Sequence, residues 1–242
     1  MFSAFFHTAL YQPLYNGLVF LIDVAPAASV GLAVILLTVV VKLILFPLSL
    51  KTIKTQIAVR AVEPELKQVR EAHKNNKQEQ ARSIMELYRR EGINPFSGFL
   101  VLFIQLPIIF ALYWVFFRGG LPTVDAELLY AFVPTPEHVN MAFLWISDVS
   151  GRSATLALLA GATQYVQISL TLPPLEKRKE AASFKDDLAR SFQLQMRYVM
   201  PIAVVGIAYF ISAAIAIYWT TSNVFAILQE IFVRKRYKKD TV

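Results

Sequence analysis

The stretch Ser29-Val-Gly-Leu-Ala-Val-Ile-Leu-Leu-Thr-Val-Val-Val-Lys-Leu-Ile-Leu-Phe-Pro-Leu48 decides how the rest of the chain is read. It is long and apolar enough to cross a bilayer as a helix, yet it contains Lys42. An ammonium near the middle of a spanning helix costs about 2.5 to 3.5 kcal/mol on insertion-derived scales, so it faces a polar cavity or a partner in preference to lipid. The apolar run continues to residue 50, about 12 Å of helix beyond Lys42. That is farther than a lysine comfortably reaches by snorkelling.

Composition agrees with a membrane setting. Of 242 residues, 56% are hydrophobic and 17% charged, a balance that suits a polytopic membrane protein better than soluble domains. There is no cysteine, which excludes disulfides, thiolate metal sites, cysteine catalysis and a lipid-modified N-terminal Cys. His7, His73 and His138 have no ligand spacing, and the glycines build no phosphate-binding loop, so no metal or cofactor is expected.

Four apolar regions stand out: 28–50, 96–117, 153–172 and 199–233. The last would make a helix of about 52 Å against a hydrocarbon core of about 30 Å, so two spans broken near Ile211 to Ala214 are expected, five in all. Lys and Arg number none in 1–27, ten in 51–95, two in 118–152, six in 173–198 and five after 233. The positive-inside rule then places the N-terminus and the 118–152 loop outside. It places the segments 51–95, 173–198 and 234–242 in the cytoplasm.

Residues 1–27 lack the basic start and cleavage site of a signal peptide and are expected to form an uncleaved helix in the outer interface, with His7, Tyr11 and Tyr15 at headgroup depth. In 51–95, Ile53, Ile57, Val62, Leu66 and Val69 recur at helical spacing, as do Ala81, Ile84, Met85 and Tyr88. With Pro64 suited to a first turn, Lys74 to Gln78 to a turn and Gly92 to a stop, the segment reads as a cytoplasmic helical hairpin. The fold class is therefore all-α.

The expected spans carry polar residues at related positions. Thr38 lies one turn before Lys42, and Ser49 two turns after it. Gln105 precedes Pro107, which frees a helix carbonyl. Gln164, Gln167 and Thr171 form a stripe, and Ser212, Trp219 and Asn223 share a face beside Tyr218, Thr220, Thr221 and Ser222. Each alone is compatible with helix-to-helix hydrogen bonding. Together with Lys42 they point to a wet intramembrane cavity. No Asp or Glu falls in the middle of a span, which argues against a proton relay or a cation site.

The run from Thr38 to Leu48, the charged hairpin, Gly92-Ile-Asn-Pro-Phe-Ser-Gly98, Phe103-Ile-Gln-Leu-Pro-Ile108 and Tyr218-Trp-Thr-Thr-Ser-Asn223 occur in order, and the chain from about Tyr11 to Arg236 resembles the YidC family of membrane protein insertases. The likeness is to the short form without a large extracytoplasmic domain. It implies a hydrophilic groove in the inner leaflet, open to the cytoplasm and lipid and closed outside, with the groove charge at Lys42 and Thr38, Gln105 and Trp219 beside it. Gln164, Gln167 and Asn223 are further groove candidates. The family usually has Arg at the position of Lys42; Lys keeps the charge and loses the planar fork.

The expected function is insertion of nascent membrane proteins without covalent chemistry, so not an enzyme, by a chain working as a monomer in the plasma membrane. Lys67, Arg70, Lys74 and Lys77 of the hairpin, with Arg234, Lys235 and Arg236 of the tail, are expected to meet the ribosome or anionic lipids. A Sec translocon is a further candidate partner. The competing readings are a small-solute or ion transporter and a non-inserting scaffold. An odd span number, no inverted repeat and no intramembrane carboxylate weigh against the transporter.

Overall fold

The structure is a computed structural model that describes residues 6–94, 97–118, 121–172 and 190–240; for 97–104, 106, 117, 118 and 237–240 it describes backbone alone. Helices carry the described fold, with two isolated bridges, Ser29 to Asn140 and Phe143 to Ile146. The chain divides into two compact units. One comprises the chain through Ile44 together with Leu106–Leu228, and the other Leu45–Gln105 together with the chain from Gln229 onward.

In the first unit, α1 (Gln12–Val24) follows a π turn (His7–Tyr11) and packs against α2 (Val30–Ile44). Tyr15, Leu18, Val19 and Ile22 of α1 are fully buried. They follow an i, i+3, i+4, i+7 pattern and so form one stripe. Tyr15 turns inward with that stripe. Its hydroxyl accepts the N–H of Asp125 at 2.7 Å.

The run expected as one helix over 28–50 is interrupted. α2 ends at Ile44 and α3 (Phe46–Ala61) begins two residues later. Pro47 sits in the first turn of α3, where its missing N–H costs nothing; an unbroken continuation of α2 would drive its ring against the carbonyl four residues back.

α6 (Ser97–Arg118) contains Pro107. α7 (Ala154–Thr171) starts on Ser153, whose hydroxyl accepts from Leu156 N–H at 3.3 Å. It packs on α8 (Met200–Ile211), which extends a helix running from Arg190. The approach is close at Gly161, where an added β-carbon would lie 2.2 Å from Val205 Cγ2 and 3.0 Å from the Pro201 carbonyl.

Helix stops at Ser212, whose backbone is extended (φ −168°, ψ 159°), and α9 (Ala213–Asp240) starts at the next residue. The break lies inside the segment where the length of the apolar run required one. Ser212 is accordingly the cap of α9, its hydroxyl accepting from Ile215 N–H at 3.3 Å, and it does not share a helix face with Trp219 and Asn223.

The loop between α6 and α7 ties this unit together at one end. Asn16 of α1 accepts from Tyr130 N–H at 2.6 Å and donates to the Leu128 carbonyl at 2.8 Å. Val30 N–H donates to the Asn140 carbonyl and Asn140 N–H to that of Ala28, both at 3.0 Å. At the α8–α9 break, Ala213 and Ala214 donate to the carbonyls of Gly151 (2.7 Å) and Val149 (2.8 Å). Backbone N–H groups orphaned at the starts of α2 and α9 are thereby satisfied by one loop, which the Asn16 side chain also ties to α1.

The second unit contains α3, α4 (Glu63–Ala72) and α5 (Lys77–Arg90). Pro64 lies in the first turn of α4, Asn76 caps α5 by accepting from Glu79 N–H at 3.2 Å, and Gly92 has φ 63°. Val62, Leu66, Leu87 and Ile93 form its buried core, flanked by Ala58, Val59, Ile84 and Tyr88. Met85, which the spacing assigned to the apolar face, is exposed, and Leu87 occupies the core. Gln80 ties the arms by donating to the Arg70 carbonyl at 2.7 Å, and Arg90 pairs with Glu65 across them.

Among the described residues, Arg190–Ile211 is by itself long and apolar enough to cross a bilayer; α2 and α3 also qualify when taken together as one broken span.

Candidate functional site: polar residues within an apolar bundle

The first unit hides little of its apolar outer surface. Ile44, Phe110, Leu158, Ile202 and Phe210 are all more than half exposed. Side chains of this kind are at home against acyl chains and unfavourable in water. Against that exterior, Lys42 is half-buried in the last turn of α2. Thr38, one turn earlier, is buried and donates its hydroxyl to the Val34 carbonyl at 2.6 Å.

On α7, Gln164 and Gln167 are half-buried, and Gln167 donates its amide to the Thr171 hydroxyl at 3.1 Å. On α9, Trp219 is half-buried, while Asn223 is buried and its amide donates to the Ala160 carbonyl and the Thr163 hydroxyl, each at 3.3 Å. Asn223 thus joins α9 to α7. Thr163 lies four residues before Gln167, on the same face, and extends the stripe of Gln164, Gln167 and Thr171 toward the start of α7.

Two buried hydroxyls of this unit, Ser169 and Thr220, have no hydrogen-bond partner among the described residues. Threonines in helices usually return their proton to the i−4 carbonyl, as Thr38 and Thr163 do. A hydroxyl left unmatched in an apolar setting costs about 1 to 3 kcal/mol unless something supplies a partner. Gln105 belongs to the second unit, where it is half-buried.

The second unit has its own polar cluster. Gln229 donates to the Ser49 hydroxyl at 2.6 Å, and buried Glu230 accepts from Arg234 Nε at 3.1 Å and Nη2 at 2.5 Å. Burial, followed by the proximity of Arg234, lowers the pKa of Arg60 from its usual value. Lys67, Arg70, Lys74 and Lys77 are exposed, with Lys67 3.8 Å from Glu63; Lys235 and Arg236 are exposed and Arg234 is half-buried.

An apolar exterior around buried amides, hydroxyls and one ammonium is the build of a helical membrane protein. The family described as 60Kd inner membrane protein matches residues 21–240, and this chain belongs to it. It is 31% identical over 214 residues to the membrane protein insertase YidC of Clostridium tetani, covering 88% of this chain and 86% of that one. It is 29% identical over 229 residues to the protein of the same name from Fusobacterium nucleatum, covering 94% and 98%. Among solved structures, an active YidC insertase with its first transmembrane domain resolved superposes with a TM-score of 0.58 at 22% identity. That match covers 92% of this chain and 45% of that one, so it speaks for the fold.

Proposed function

We propose that this chain is a membrane protein insertase that takes the hydrophilic part of a nascent membrane protein into a polar groove within the bilayer. The observation that carries the reading is Lys42, half-buried one turn from Thr38 on a helix otherwise apolar, in a chain whose relatives bear the insertase name. A polar segment entering acyl chains loses its water, at several kcal/mol per unpaired group. A groove offering Lys42, Gln164, Gln167 and Trp219, together with the unmatched hydroxyls of Ser169 and Thr220, divides that barrier into smaller ones. Thr38 and Asn223 hold its walls, and Gln105 takes its place on the strength of its motif alone. Lys42 attracts acidic residues of the passing segment, and no covalent step is involved.

In this reading the chain crosses the membrane five times, N-terminus outside and C-terminus in the cytoplasm. The loop between α6 and α7 is then extracytoplasmic, and its bonds to α1, α2 and the α8–α9 break close that side. The hairpin and tail meet ribosomal RNA or anionic lipid headgroups through their exposed cations. Purified chain in liposomes should insert a small membrane protein with an acidic translocated tail. Solute flux without insertion would instead support a transporter, neither flux nor insertion by the purified chain would support a non-inserting scaffold, and unimpaired insertion after replacement of Lys42, Gln164 and Gln167 together would overturn the groove.

A further inference from the structure

The loop between α6 and α7 carries a tight turn that the proposed insertion mechanism does not use. Phe143 and Ile146 exchange backbone hydrogen bonds (2.8 and 2.9 Å), leaving Leu144 and Trp145 as the two residues of the tip. Leu144 has φ 54°, a conformation that favours glycine and is an outlier for a bulky side chain. Both tip side chains are largely exposed, Leu144 by 70% and Trp145 by 66%. A water-facing turn has no reason to place leucine at a glycine position and tryptophan beside it.

The tip is joined to the lipid-facing surface of the bundle. Trp145 Nε1 donates to Thr155 Oγ1 at 3.2 Å, in the first turn of α7. From Thr155 an exposed stripe runs down that helix through Leu158, Leu159, Ala162, Tyr165 and Val166, at the i, i+3, i+4 spacing of a single face. At the adjoining end of α8, the Arg152 guanidinium lies 6.0 Å from the ring centre of Tyr209 and 5.6 Å from that of Phe210, and both rings are exposed. Indole, phenol and guanidinium together at the end of an apolar surface are the side chains that settle at a membrane interface.

We propose that Leu144 and Trp145 form a wedge seated among the lipids of the outer leaflet, fixing the depth of α7 in the bilayer. This rests on the reading that α7 crosses the membrane with the loop outside. The wedge lies on the closed side of the protein, opposite the face at which cytoplasmic substrate would enter, so it serves as an anchor and not as a substrate contact. One anchored end leaves the other end of the bundle to absorb any change in local thickness when a substrate enters.

The chain has three tryptophans, so Trp114→Phe with Trp219→Phe leaves Trp145 as the sole emitter. In phosphatidylcholine liposomes, its emission should be blue-shifted. Lipids brominated near the carbonyl end of the acyl chain should quench most of it, those brominated near the methyl end less, and aqueous iodide little. Emission at the position of tryptophan in water, quenched by iodide and not by bromolipid, would overturn the proposal. Blue-shifted emission that neither quencher reaches would also overturn it, by showing that protein covers the tip. A companion protein with Leu159→Trp as its sole tryptophan separates the two readings. If deep bromines quench it while Trp145 stays in water, the wedge alone fails; if bromolipid quenches neither, the spanning assignment of α7 fails with it.

Discussion

Phe143 lies so close over Gly31 that a β-carbon at position 31 would fall 2.3 Å from the ring. The loop reaches the start of α2 through this contact, and the Asn140 backbone bonds beside it hold the register. Gly31→Ala should therefore force the loop off the helix, costing about 1 to 3 kcal/mol as overpacking does. Thermal unfolding in detergent should show a lower midpoint for Gly31→Ala. Combined with Phe143→Ala, the two changes should cost less than their sum, because truncating the ring makes the space. Strict additivity would contradict the contact.

Tyr15 joins the same loop to α1, and its hydroxyl is the acceptor for Asp125 N–H. Tyr15→Phe leaves that N–H unmatched and should cost about 1 to 3 kcal/mol. Burial raises the Tyr15 pKa above its ordinary 10.0, with the Asp125 bond opposing. The folded protein thus favours the neutral phenol, a contribution complete below pH 10 and lost as pH rises through the folded value. Stability measured from pH 8 to about 11 should fall at the alkaline end, and less steeply in Tyr15→Phe.

How far the sequence could be read depends on which signals are local. The break at Ser212 was legible because a largely apolar run of 35 residues, 199–233, would exceed a bilayer's thickness as one helix, a constraint that needs no partner. The end of α2 at Ile44 was equally local, since Pro47 announces it, but the apolar run hid it. Leu87 and Met85 are two positions apart on α5, and only packing against Val62 and Leu66 decides which is inside. The bonds of Asn223 to Ala160 and Thr163, and of Gln229 to Ser49, depend on the register between distant helices, which one chain's periodicity does not carry.

Orientation is tested by single cysteines, which report cleanly because the chain has none. Lys77→Cys and Lys239→Cys should react with an impermeant thiol reagent only from the cytoplasmic side, and Glu127→Cys only from outside. Labelling of Lys239→Cys from outside would require an even number of spans.

The hairpin's exposed cations project from a helix pair whose core lies elsewhere. Replacing Lys67, Arg70, Lys74 and Lys77 by Gln should leave unfolding unchanged while weakening binding to ribosomes or anionic vesicles. The difference should shrink as salt rises, as expected when counterions compete. Binding unaltered at low salt would reduce the cluster to a topological signal.

The charge at position 42 is the most direct test of the mechanism. Reconstituted chain should be scored for insertion of an acidic-tailed membrane protein with Lys, Arg, Ala, Glu and Leu at that position. If a positive charge draws the acidic segment through partly desolvated space, Lys42→Arg retains insertion, Lys42→Ala impairs it and Lys42→Glu impairs it most. Lys42→Leu should raise the unfolding temperature while weakening insertion, since it removes the cost of the embedded charge along with its attraction. Full insertion by the Leu variant across several acidic-tailed substrates would contradict the account.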